Sequence, residues 1–163
     1  MTNYSQTEVA TCGLVALANA IETNESIEKI KDRVEFLLNR RLDSKFLDPE
    51  TLRSVVSGIT LWEMSYLLAE FGVIHHTFDE QAYGSKSLVS HNFEKLSGCR
   101  WHTHVFENNM PAVLGIYRVD ELYNVIGHWV YVKDRELIDG LKDSPFTDWD
   151  NVNVVMGCLI HSK

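Results

Sequence analysis

Apolar residues recur at helical spacing through the first part of the chain and at strand spacing toward its end. Leu14, Val15, Leu17, Ala18 and Ile21 follow Cys12-Gly13 with almost no charge among them, which predicts a helix apolar on most sides and buried in a core. Thr11 is placed to cap that helix, with Cys12 in its first turn. Ile27, Ile30, Val34, Leu37 and Leu38 form one stripe opposed by Glu28, Lys29, Asp32, Arg33 and Glu35, so a surface helix is expected from near Asn24 or Ser26. Asp48-Pro49-Glu50 reads as another helix start, with Leu52, Val55 and Val56 on its apolar side and Gly58 at its end. Thr60 and Glu63 have the spacing of a capping box, and Leu61, Met64, Leu67, Leu68 and Phe71 carry a buried face toward Gly72.

The period then changes. Val73 to Phe78 reads as a short strand, Asp79 to Ser90 as a loop, and His91 to Leu96 as a turn of helix. Pro111 to Val119 and Val125 to Val132 are rich in β-branched and aromatic residues and predict two strands joined by a turn at Asp120 to Asn124. Glu136 to Ile138 supplies a third and Val152 to Ile160 a fourth, making an antiparallel sheet. Helices first and strands second predict a single α+β domain over 1–163, helical to about 108 and a sheet from about 109.

Composition narrows the function. A net charge of −8 leaves no basic stripe to displace counterions from phosphates, so a nucleic-acid partner is not expected. Arg40-Arg41, followed by Asp43, reads as a solvated helix end. No apolar run is long enough to span a membrane, and Met1 to Ser5 lacks the basic and apolar stretches of a secretory signal. Cysteine numbers 3, odd and scattered, which argues against a disulfide framework and for a reducing, cytoplasmic setting, though a secreted effector or a piece of a larger protein also fits.

A free cysteine in an apolar helix is usually a small hydrophobe. Cys12 has more to recommend it, because unpaired N–H groups in a first helical turn favour a thiolate. Gln6, on the preceding segment, can offer a side-chain N–H where an oxyanion would form beside that sulfur. His128 is the one histidine set mid-strand among apolar residues; alone it would be a core imidazole, but beside Cys12 it can take the thiol proton. Such a base needs a third group to orient it. If Lys133-Asp134 form a two-residue hairpin loop, Val132 faces Arg135, Val130 faces Leu137, and His128 faces Asp139. Asp143 would need a longer loop, and Asp148 lies beyond Ser144-Pro145.

Cys99, His102 and His104 are the best metal candidates, but zinc sites usually draw on a distant second pair of ligands and none is visible. His75 and His76 are neighbours in a strand, point to opposite faces, and are not expected to share an ion. No metal or organic cofactor is expected.

Gln6, Cys12-Gly13, Gly127-His128-Trp129 and Asp139, in that order, resemble the papain-like cysteine peptidases. Cys12-Gly-Leu-Val-Ala-Leu17 with the Gly-His-Trp triplet is especially similar to the double-glycine leader peptidases of bacteriocin exporters and to the actin-maturation protease. The resemblance implies a two-lobed domain with the nucleophile helix packed on the sheet. It also implies Gln6 in the oxyanion hole, Cys12 as nucleophile, and His128 and Asp139 supplied by the facing sheet. Thr11 before the cysteine and the short His-to-Asp interval depart from the family pattern. The activity implied is a cysteine hydrolase, foremost a peptidase acting on a protein or peptide. The same site serves glutamine deamidation or acyl transfer. A binding module that keeps the scaffold without catalysis is the reading from another class.

Overall fold

The computed structural model describes residues 12–42, 45–47, 54–56, 58–79, 103–119, 125–140 and 153–162, together with Tyr4 and Thr147. Helix α1 (Cys12–Ile21) is buried from Gly13 through Ala20, as its nearly uncharged sequence requires. Tyr4 donates its backbone N–H to Asn19 Oδ1 at 2.8 Å, which lays Tyr4 against this helix. Helix α2 (Ile27–Leu38) starts at Ser26, whose side chain accepts the Lys29 N–H, and buries Ile30 and Val34. Helix α3 (Leu61–Glu70) carries the full capping box: Thr60 accepts from Glu63 N–H, and Glu63 accepts from Thr60 N–H.

The helix expected from Asp48 to Gly58 is not what forms at its end. Ser54–Val56 is a strand (β2) paired antiparallel with Lys45–Leu47 (β1), Phe46 opposite Val55. Two adjacent valines suit a strand at least as well as the side of a helix, and pairing with the segment Lys45–Leu47 decides between them. The helix start itself, Asp48-Pro49-Glu50, lies outside the described residues.

The main sheet has five strands rather than four. Ile74–Asp79 (β3), Ala112–Val119 (β4), Val125–Lys133 (β5), Glu136–Ile138 (β6) and Asn153–Ser162 (β7) lie in the order β3-β7-β4-β5-β6, and every neighbouring pair is antiparallel. The stretch to about 108, expected to be helical apart from the strand at Val73 to Phe78, contributes β1, β2 and, at that expected strand, β3. The final strand enters between β3 and β4, where both of its edges are paired.

Helices cover one face of this sheet. Val113, Trp129, Tyr131, Cys158 and Ile160 pack there with Leu14, Leu17, Met64, Leu67 and Leu68. The opposite face is buried as well: Leu114, Val130, Val132, Leu137, Val154 and Leu159 pack with Val105, from a π-helical turn at Thr103–Glu107. Burial on both faces explains why β4 and β5 read as nearly continuous apolar runs instead of alternating.

The close approach of α1 to the chain entering α3 needs a residue without a side chain. A Cβ on Gly13 would lie 3.0 Å from Ile59 Cβ and 3.1 Å from its Cδ1. Gly13→Ala is expected to push Ile59 outward and to cost about 1–3 kcal/mol, the usual range for overpacking. Chemical denaturation checks this; a loss below about 0.5 kcal/mol, the ordinary spread of neutral substitutions, would mean Ile59 yields freely.

Candidate active site

Three of the four candidate residues come together where the first turn of α1 meets β5. Cys12 opens the helix, His128 lies on β5, and Asp139 follows the end of β6. His128 Nε2 and Asp139 Oδ1 are 2.8 Å apart, with His128 only 5% and Asp139 only 7% exposed. An ionised carboxylate can only accept, so Nε2 carries the proton of this bond. That leaves Nδ1 for the hydrogen bond the imidazole makes with the Cys12 thiol.

The hairpin that delivers Asp139 differs from the one the sequence suggests. Tyr131 faces Ile138, Val132 faces Leu137, and Lys133 faces Glu136, so the loop is Asp134-Arg135 and not Lys133-Asp134. Both loop residues take positive φ, 53° and 64°, the conformation whose twist matches a two-residue hairpin. Continued by one pair, that register sets Asp139 opposite Val130 rather than opposite His128. Asp139 reaches the imidazole along the diagonal, a distance a carboxylate side chain spans.

The electrostatics favour a thiolate beside an imidazolium. Burial opposes charge on Cys12, but it is outweighed by the hydrogen bond from His128, the backbone N–H of Trp129, the charge of His128, and the N–H of Gly13, so the thiol pKa is lowered. Among the described residues β6 pairs with β5 no farther than Ile138, which leaves the β5 edge beside Trp129 open to the sulfur. Burial also opposes a charged His128, yet its bonds to Asp139 and Cys12 raise it from 6.5 to about 9. Cys158 shows the contrast. Buried among apolar side chains, its thiol is pushed up to about 12.

The sulfur and imidazole border a cavity of about 190 Å³, whose other walls are Gly58, Ile59, Gly115, Ile116, Trp129 and Met156. Trp129 is fixed there by its indole N–H, which donates to the Ile59 carbonyl at 2.8 Å. Gly115 makes room for the Met156 side chain in this wall, since a Cβ there would meet Met156 Cγ at 2.8 Å. Sequence reasoning missed Gly58, Ile59 and Met156 as parts of the site. They sit in segments with no motif of their own and join it only through packing.

Gln6, Asp143, Asp148, Cys99 and His102 lie outside the described residues. His104 belongs to the π-helical turn, with its ring centroid 5.5 Å from that of His76. His75 and His76 do diverge: His75 bonds Ser65 Oγ at 2.9 Å, while His76 contacts His161. Among the described residues no cluster of His, Cys, Asp and Glu is arranged to hold a metal ion, and no helix is long and apolar enough to cross a membrane. The sequence matches no family model and no curated protein.

Proposed function

We propose that this α+β domain is a cysteine hydrolase with the papain-like two-lobed arrangement, cleaving an amide bond in a peptide or protein. The observation that carries the reading is the buried His128–Asp139 hydrogen bond with the half-buried Cys12 thiol, its pKa lowered, facing the same imidazole at the edge of an open cavity. In this reading the Cys12 thiolate attacks the amide carbon to form a tetrahedral oxyanion. His128 then gives its Nδ1 proton to the leaving amine, and a thioester remains. Water, deprotonated by the same imidazole, attacks the thioester, releases the acid and returns the thiol. Asp139 holds the ring by its Nε2–H and stabilises the imidazolium. Gln6 and the backbone N–H of Cys12 are the proposed oxyanion donors. Among the described residues, the cavity is walled, apart from the thiol and the imidazole, by apolar side chains and glycine. That favours a peptide chain over the polar side chain a glutamine deamidase must grip.

The test is site-resolved alkylation by iodoacetamide across pH, followed by peptide mass mapping. Cys12 is expected to react first, with a midpoint below its ordinary 9.0, while Cys158 stays unlabelled at neutral pH. For hydrolysis the thiolate fraction grows as pH rises through the lowered Cys12 pKa, and the imidazolium is lost as pH passes about 9. kcat/KM should therefore rise and then fall, with its alkaline limb near 9. Labelling of Cys12 no faster than that of the other cysteines would overturn the assignment.

A further inference from the structure

We propose that Arg40 is a positioning residue for this site: its guanidinium holds the Gly58–Ile59 segment as the wall against which an extended substrate chain lies. The inference rests on the cysteine hydrolase reading and adds to it a residue just past the end of α2.

Asn39 closes α2 in the left-handed conformation, its N–H bonding the carbonyls of Glu35 and Phe36. The chain is then turned so that Arg40 N–H bonds Glu35 O at 3.2 Å and Leu42 N–H bonds the Glu35 carboxylate at 2.9 Å, with Leu42 itself buried. This cap aims Arg40 at the start of α3. Its Nε and Nη2 grip Glu63 at 2.8 and 2.7 Å, and Nη2 also donates to the Gly58 carbonyl. Glu63 Oε1 in turn accepts the Thr60 N–H at 3.0 Å. One guanidinium thus ties together the residues on both sides of Ile59.

Gly58 needs such a tie. It is exposed, and a Cβ built on it would meet nothing within 4 Å, so no packing of its own fixes its place. Ile59 is anchored from the opposite side by the Trp129 indole and by contact with Gly13. Together they present bare backbone and one isoleucine to the cavity beside Cys12. A wall of this kind suits a chain held close and extended. A guanidinium satisfies two partners with its planar fork, and a lysine at the same place offers only a point charge.

The experiment compares labelling of Cys12 in the full chain by two kinds of reagent. Iodoacetamide needs only the thiolate; a panel of peptidyl fluoromethyl ketones also needs the wall. Arg40→Met is expected to slow the best peptidyl reagent by about tenfold to a hundredfold, the cost of a misplacement near 1 Å, with iodoacetamide changed less than about twofold. Arg40→Lys should fall between. Gly58→Ala, which leaves the clamp intact and has room for its methyl group, should slow the peptidyl reagent alone by narrowing the cleft. Thermal unfolding confirms that each variant is folded. Loss of both labelling rates together in a folded Arg40→Met protein, or loss of neither, overturns the proposal. So does a wild-type protein that iodoacetamide labels selectively at Cys12 but that reacts no faster with any peptidyl reagent. Absence of selective iodoacetamide labelling in the wild type is a different result, and it removes the hydrolase reading first.

Discussion

Cys12→Ala is expected to abolish hydrolysis, lowering kcat by roughly 10⁴- to 10⁶-fold, while the protein stays folded. The substitution removes the proposed nucleophile but trims only one heavy atom at the start of α1, so the stability loss should be near 1 kcal/mol. A second consequence concerns pH. In the wild type two opposed effects meet: the lowered Cys12 pKa adds stability as pH rises through its folded value toward 9.0, and the raised His128 pKa loses it as pH rises from 6.5 through about 9. Their slopes have opposite signs and offset one another. Without Cys12 the balance breaks. His128, still raised by Asp139, keeps a proton that the unfolded chain has released above 6.5. Its contribution is then complete below 6.5 and is lost as pH rises through its folded value, which now lies below 9 because the Cys12 bond is gone. Cys12→Ala should therefore lose more stability than the wild type on going from pH 6 to pH 9. Fluorogenic peptide amides and denaturant titrations at the two pH values check both halves. Residual turnover at even a tenth of wild type would mean the nucleophile lies elsewhere.

The parts of the fold that were legible in the sequence are those decided locally. The capping box at Thr60 and Glu63 needs only residues three apart, and it forms as written. α1 was legible because a helix apolar on all sides has nowhere to go but a core. Ser54–Val56 was not legible, since a proline after an aspartate and a pair of valines are compatible with either a helix or a turn and strand. The choice falls to the pairing of Val55 with Phe46. The place of β7 between β3 and β4 is likewise a property of the sheet and not of any one segment.

The meeting of His128 with Asp139 was reached through a hairpin in the wrong register, and strand periodicity explains why the pairing still forms. Moving the loop from Lys133-Asp134 to Asp134-Arg135 shifts the partner of Asp139 from His128 to Val130. Both residues are on the same face of β5, because side chains alternate with a period of two. The shift thus changes a direct neighbour into a diagonal one without turning the carboxylate away. The loop itself carries no Asn-Gly or Asp-Gly signal; a non-glycine pair with φ of 53° and 64° is imposed by the strands it joins. Ile59 and Gly58 were hidden for another reason. Their part in the site depends on the indole of Trp129 and the missing side chain of Gly13, which are remote in sequence.

Asp139→Ala should cripple the site more than Asp139→Asn. His128 and Asp139 form a buried pair whose side chains are 3% and 7% exposed, so removing the carboxylate deprives the imidazolium of that counter-charge and of its Nε2 acceptor. Breaking a buried pair in this way costs about 3–5 kcal/mol unless the ring gives up its proton. The ring will give it up. The His128 pKa then drops from about 9, the thiolate loses its partner, and the fraction of ion pair at neutral pH falls. kcat for Asp139→Ala is expected to decrease by about 10²- to 10⁴-fold, the contribution of a well-placed general base. Asparagine keeps an oxygen that can accept the Nε2–H, so the ring stays oriented and only the charge is lost. Asp139→Asn should therefore lie between alanine and wild type in kcat. Its alkaline limb should move below 9, because the largest influence raising His128 is the bond to a charged Asp139. Asp143→Ala should be close to wild type in both. Steady-state kinetics of the three variants from pH 5 to 10 decide the matter. A crippled Asp143→Ala beside an active Asp139→Ala would transfer the orienting role to Asp143 and leave the 2.8 Å contact of His128 with Asp139 without a catalytic purpose.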